Sequence, residues 1–442
     1  MSSLHVMSSL HVMTRDKMCD VPAYLMLLAP SANHVYAAET ARLAAAELEV
    51  TGEGIANVRE TRLAGVDYLA FDSDHIDPAL IASQSSALAL FERWAGSFVS
   101  PSESGPAIAT DLDPETLPAD GIAQAPRELL MPIELPHTEV MDDDLVTIPK
   151  YRGKTNELFT RLLLHVTLSQ VAPRPGDMAK GGAAGSDSTP TASDGSEHGI
   201  GKPEIRHHYD VLDPLAGRGT TLLTAWTLGH NGFGVEVDTK AFEQFAGFLK
   251  TYLRRKRLKH SAEVTTVRRD GRVVGQRLDA EARPGQGTRG HQAVPGAPEL
   301  SLTMFTGDTR DSAALFGKRR FDAIVTDAPY GVVHGSTDSH GSSPAHGSSN
   351  AARNSRGRTG HGGDRDRSPA TLLAEAIAVW AGQLRHGGAL GLAWNTYGLS
   401  REDLASLCED AGLEVRDGGA WLQFAHRVDS SIKRDLLVAV KP

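Results

Sequence analysis

Cysteine is nearly missing from this chain of 442 residues, with Cys19 and Cys408 its only two. Two cysteines exclude a disulfide scaffold and a cysteine-rich zinc site. No apolar stretch approaches membrane-spanning length. The start lacks the basic and long apolar regions of a secretory signal. A cytoplasmic location without a membrane partner is therefore expected. Surplus positive charge is missing too. The formal net charge is −10, which excludes a broadly basic nucleic-acid binder, so any cationic surface must be local. Hydrophobic residues at 40% and charged residues at 23% suit a folded core. The length suits two or three domains.

Along the chain, MSSLHV occurs twice in residues 1–13, and residues 1–20 read as a disordered tail. Residues 21–100 read as a small α/β unit. It has a strand at 23–29, a helix at 35–50, strands at 58–63 and 68–71, and an apolar-faced helix at Ala79–Trp94. Residues 101–149 read as an acidic, Pro-rich linker ending in the solvated run Asp142-Asp143-Asp144. The second domain spans 150–442. Low-complexity inserts near 172–203, 276–299 and 335–369 interrupt it, and their composition predicts disorder. Between them lie helices predicted at 220–228, 239–258, 370–385 and 401–411. Strands are predicted at 208–213, 232–237, 302–306, 321–326 and 389–394, with a closing pair near 420–426 and 435–441. Alternating strands and helices predict a doubly wound, mostly parallel sheet with helices on both faces.

The most informative run is DPLAGRGTTLL, Asp213–Leu223. A buried strand ends at Asp213, Gly217 and Gly219 make a tight turn, and a helix begins at Thr220. Helix-start N–H groups point at a bound anion, so this is the shape of a nucleotide-type cofactor site. It is neither G-x-G-x-x-G nor a P-loop. An acid followed by a small-residue turn, here with Ala216, suits S-adenosylmethionine. Asp213 can accept from its ammonium group, and the helix start at Thr220 can receive its carboxylate. A second strand ends in acids at Glu236-Val-Asp238, where a carboxylate can accept both ribose hydroxyls at the carboxyl end of a parallel strand. Downstream, the strand Phe321–Thr326 ends in Asp327-Ala328-Pro329-Tyr330.

Here the sequence resembles the amino-group methyltransferases, whose signature is Asp or Asn, Pro, Pro, then an aromatic. Position 328 is Ala where that family usually has Pro, but its backbone carbonyl is retained. The resemblance implies a Rossmann-like methyltransferase fold, closed by an antiparallel hairpin. It places Glu236 at the ribose and Asp308, after the strand at 302–306, at the adenine amine. It makes the Asp327 carboxylate and the Ala328 carbonyl acceptors for the substrate amine. Pro329 would fix the turn, and Tyr330 would offer a face to a flipped-out base. Cytosine C5 chemistry would need a cysteine nucleophile, and neither cysteine is placed for it.

Across 150–442 the motif order resembles the tRNA guanine-N2 methyltransferases that usually carry an RNA-binding THUMP module. This implies a tRNA partner and leaves room for a small activator subunit. A DNA adenine or cytosine amino-methyltransferase shares every motif, and a non-catalytic protein of the same fold is the alternative of a different class. No metal is required. Two basic stretches are candidates for nucleic-acid contact: the helix end carrying Arg254, Arg255, Lys256, Arg257 and Lys259, and the insert carrying Arg353, Arg356, Arg358, Arg365 and Arg367. The polar run His426–Asp435, which joins the last two strands, is a candidate lining of the target pocket.

Overall fold

The computed structural model describes residues 24–95, 128–151, 154–174, 208–269, 271–284, 298–330 and 369–442. The tail, most of the three inserts and the five insert arginines lie outside these residues.

The N-terminal unit is a five-stranded antiparallel sheet in the order β2-β3-β1-β4-β5, built from β1 (Tyr24–Leu28), β2 (Ala56–Leu63), β3 (Val66–Asp72), β4 (Ala87–Ala95) and β5 (Glu128–Ile133). Helix α1 (His34–Thr51) begins at Asn33, whose side chain accepts from the N–H groups of Val35 and Tyr36. It packs Ala44 and Leu48 onto the sheet, against Met26, Leu69, Phe71 and Leu90. Two expectations are corrected here. The predicted helix Ala79–Trp94 is a six-residue helix α2 (Pro78–Ser83) followed by strand β4. The break has a cause. Glu47 of α1, fully buried, accepts from the N–H and the hydroxyl of Ser85 and pulls the chain out of helix. The second correction concerns the predicted linker 101–149. Its described part contains β5, paired to β4, and a short helix α3 (Asp144–Thr147).

The larger sheet has ten strands. Its parallel centre runs β12 (Leu384–Asn395), β11 (Phe321–Asp327), β6 (Asp210–Asp213), β7 (Asn231–Glu236), β10 (Leu300–Thr306). Beyond β12 comes β15 (Lys433–Val440), antiparallel, and then β13 (Glu414–Val415). The order reverses at β6, as a doubly wound sheet requires, and the ends of the strands around the reversal form a crevice. This is the Rossmann-like methyltransferase architecture, with an antiparallel strand inserted near one edge. Its helices are α4 (Glu157–Leu168), α5 (Thr220–Thr227), α6 (Thr239–Arg255), α7 (Ser312–Phe316), α8 (Pro369–Gln383) and α9 (Arg401–Asp410). One face of the sheet buries Val211, Val325 and Val438 under α4, and the other buries Leu212, Ile324 and Leu390 under α8 and α9. Cys408 of α9 is fully buried, and burial pushes its thiol up to about 12.

At the other edge stands a long hairpin, β8 (Lys259–Arg269) and β9 (Arg272–Arg283), with β9 antiparallel to β10. It was not expected. It corrects the insert predicted to start at 276 and the helix predicted to reach 258. The signal was present in Asp270-Gly271, flanked by Val- and Thr-rich runs, and Gly271 has a φ of +75°. The closing pair is corrected as well. Residues 419–422 form a 3₁₀ turn, and β14 (His426–Arg427) is two residues long, paired to β15.

The basic helix end has a structural use. Lys256 Nζ bridges Asp142 at 2.7 Å and Asp144 at 2.6 Å, so that end is tied to the acidic run predicted to be solvated.

Candidate active site

Strand β6 delivers Asp213 to the sheet's carboxyl edge. Thr326, next to last in β11, donates its hydroxyl to Asp213 Oδ1 at 2.7 Å, and the Leu215 N–H donates to the same oxygen at 3.1 Å. Asp213 is only 3% exposed, and burial pushes its carboxyl up to about 6, against the hydrogen bonds that favour the charge. Among the described residues no cation pairs with Asp213, and a buried carboxylate facing a cleft is suited to receive one.

The turn that follows is set by Gly219, with a φ of +76°. A Cβ there would lie 2.3 Å from the Phe245 ring of α6, so both backbone and space demand glycine. The Thr220 hydroxyl at the start of α5 bonds the Tyr151 hydroxyl at 2.7 Å. The Arg218 guanidinium lies 4.6 Å from the centre of the Tyr151 ring.

Asp327 ends β11 on the same edge. Its Oδ2 accepts from Thr155 Oγ1 at 2.6 Å, and its Oδ1 accepts from the Tyr330 hydroxyl. Ala328 is buried, and its N–H donates to the Ala393 carbonyl of β12 at 2.8 Å, which anchors the turn to the neighbouring strand. Burial and then the Asp327 carboxylate hold the Tyr330 phenol well above its usual range, so it is a neutral donor.

One cleft of about 210 Å³ gathers these groups. Asp213, Ala216, Gly217, Thr220, Asp327, Ala328, Pro329 and Tyr330 all line it. Most of the predicted site residues are thus brought together by the fold. Three are not part of this lining: Gly219, which shapes the turn, and the acids Glu236 and Asp308. Glu236 sits behind the turn, where its carboxylate accepts from the N–H groups of Gly217 at 2.7 Å and Asp238 at 2.6 Å. Burial raises its carboxyl above the usual range, against those bonds. Asp308 caps a 3₁₀ turn through the Arg310 N–H at 2.9 Å and pairs with the Arg310 guanidinium, which also reaches Glu375. Asp238 caps α6 through the Lys240 N–H.

Sequence reasoning missed Tyr151, Thr155 and Phe159, which line the cleft from the α4 side. Tyr151 and Thr155 lie in a polar stretch that looks like an ordinary helix lead-in, and their value comes only from where α4 is docked. Among the described residues, no three His, Cys, Asp or Glu side chains gather in a metal-binding arrangement, and no helix is long and apolar enough to cross a membrane.

Neither a family model nor a curated protein matches the chain. Solved structures do. TrmN from Thermus thermophilus is 13% identical with a TM-score of 0.35, over 95% of this chain and 99% of that one. A TehB-like SAM-dependent methyltransferase from Corynebacterium glutamicum is 13% identical with a TM-score of 0.28, over 53% of this chain and 80% of that one. A putative rRNA-methylase from Clostridium thermocellum is 11% identical with a TM-score of 0.27, over 53% and 89%. Similarity at this level carries no function to the chain.

Proposed function

We propose that this protein transfers a methyl group from S-adenosylmethionine to the exocyclic amine of a nucleic-acid base, guanosine N2 in tRNA. One observation carries the reading. The Asp213 turn and the Asp327-Ala328-Pro329-Tyr330 turn line a single cleft, joined beneath by the Thr326–Asp213 hydrogen bond. The residues fit the cofactor. Buried Asp213 supplies a counter-charge for its ammonium group, and the start of α5 supplies N–H groups for its carboxylate. Glu236 and Asp308 lie at the ends of β7 and β10, where the ribose and the adenine would extend.

When bound, the cofactor supplies an electrophilic methyl on a sulfonium. An exocyclic amine is a poor nucleophile, because its lone pair is delocalised into the ring. The Asp327 carboxylate and the Ala328 carbonyl each accept one amine hydrogen. That draws the nitrogen toward tetrahedral geometry and directs the lone pair at the methyl carbon. Methyl transfer would form the N–C bond from the lone pair and leave the C–S electrons on sulfur, and Asp327 or water would take the surplus amine proton. Positioning and oriented acceptors supply the acceleration.

The test offers labelled cofactor to total tRNA and to DNA. Transfer to the tRNA guanosine amine is expected. Asp327→Ala should lower single-turnover transfer by about two to four orders of magnitude, the scale seen when one oriented group at the reacting atom is deleted. It should leave cofactor affinity nearly unchanged, and Ala328→Pro should stay active. Transfer to DNA alone would give the reaction to the DNA amino-methyltransferases. Absence of transfer to any nucleic acid would overturn the assignment.

A further inference from the structure

Behind the reacting turn sits a buried cation that the chemistry above does not use. Arg434 of β15 is only 6% exposed. Its Nε donates to the Tyr330 hydroxyl at 2.6 Å, and its Nη2 lies 3.8 Å from Asp327 Oδ2. The guanidinium is held between two rings, with its carbon 4.6 Å from the Phe159 centroid and 5.1 Å from that of Tyr330. Burying a guanidinium is costly, and a hydrophobic side chain of similar volume would often serve the core as well. The charge stays on Arg434. Burial works against it, but Asp327 and Tyr330 outweigh that and keep it protonated. The neighbouring His426 is kept neutral by burial, its imidazole lowered to about 4.

The bonds form a directed chain. Arg434 donates to the Tyr330 oxygen, which fixes that hydroxyl so that its single proton faces Asp327. Thr155 holds the other carboxylate oxygen. We infer that Arg434 is a positioning residue, which locks the Tyr330 ring and the Asp327 carboxylate into one preset geometry and does so through the Tyr330 hydroxyl. Lysine would not substitute, because it has neither the fork that reaches two acceptors nor the flat face that stacks on Phe159. The inference rests on Asp327 and Tyr330 acting as proposed above.

The experiment is a double-mutant cycle on the full-length protein, with transfer to tRNA as readout. Tyr330→Phe keeps the ring face and removes only the hydroxyl. Arg434→Lys keeps the charge. Each is expected to lower kcat about tenfold, with KM for the cofactor within about twofold of wild type. The double variant should be no slower than the slower single variant, because the two act as one unit. Losses that multiply to about a hundredfold, or a Tyr330→Phe enzyme of full kcat, would overturn the inference. A second measurement covers the case of a poorly folded arginine variant. In protein labelled with ¹⁵N-arginine, the Arg434 Nε–H should be protected from solvent exchange, and Tyr330→Phe should abolish that protection. Unchanged protection would overturn the inference without any activity being measured. A wild type that transfers no methyl group removes the proposed reaction instead, and the exchange experiment still decides whether Arg434 and Tyr330 are coupled.

Discussion

At the scale of single residues, Asp213 joins stability to binding. Its carboxyl is raised to about 6 by burial, whereas an unfolded Asp titrates near ~3.9. The folded chain therefore holds this proton more tightly than the unfolded chain does. The contribution to stability is fully present below about pH 4 and is lost as pH rises through about 6. Asp213→Asn should raise the stability of the ligand-free protein at pH 7 by about 3 kcal/mol and bring no gain at pH 4. Denaturant titrations at the two pH values check this, and an equal gain at both would trace the effect to something other than the charge. Cofactor affinity should fall as pH drops below about 6, because the protonated carboxyl no longer offers a counter-charge, and calorimetry across pH 5 to 8 reads it. Asp213, Gly217 and Gly219 were legible in the sequence because strand end, turn and helix start are local signals. Arg434, Thr155 and Tyr151 were not. Their roles arise from contacts between residues 69 to 172 positions apart, and no local pattern encodes such contacts.

At the scale of elements, the strands are knit together at the end opposite the cleft by one carboxylate. Asp322 is 1% exposed and accepts from Arg174 Nε at 3.0 Å, Arg385 Nε at 2.6 Å and the Asp210 N–H at 2.8 Å. It thus joins the starts of β6, β11 and β12. Burial tends to raise its carboxyl, but the two arginines outweigh that and hold it below the usual range. A lowered carboxyl contributes stability that is present at neutral pH and lost as pH falls through its folded value. Asp322→Ala should destabilise the protein by about 3 kcal/mol, because two arginines lose their common counter-charge. The loss should shrink in acid, which melts at pH 7 and pH 3.5 would reveal. The central strands and helices were legible because their apolar patterns have one period each. The run Ala79–Trp94 was not, because alanine and leucine satisfy both periods, and the choice was made elsewhere by Glu47. The β8–β9 hairpin was missed for a different reason. Charge and glycine in its sequence resemble an insert, while its pairing is stabilised by the edge of β10.

For the whole molecule, the decisive feature is a shared core. Tyr36, Leu43 and Ala46 of α1 pack in one cluster with Phe159, Leu162 and Val166 of α4 and with strand residues of the large sheet. His165 of α4 bonds Glu47 of α1 at 2.8 Å and Ser83 at 3.0 Å. Arg42 reaches across to the carbonyls of Gln423 and Ala425. A boundary drawn in the sequence at residue 150 shows none of this, since each half has its own apolar pattern. The N-terminal unit and the large sheet should therefore unfold together. Scanning calorimetry is expected to show one transition, and two well-separated ones would mean that the shared cluster does not couple them. The buried thiol on α9 adds a clock to that transition. In a Cys19→Ser protein, Cys408 is the only sulfhydryl, and a thiol that is fully covered and resists ionisation cannot react from within the native fold. Each alkylation event then records one opening of α9. Labelling rates measured against reagent concentration would convert a silent core residue into a meter of how often the molecule breathes.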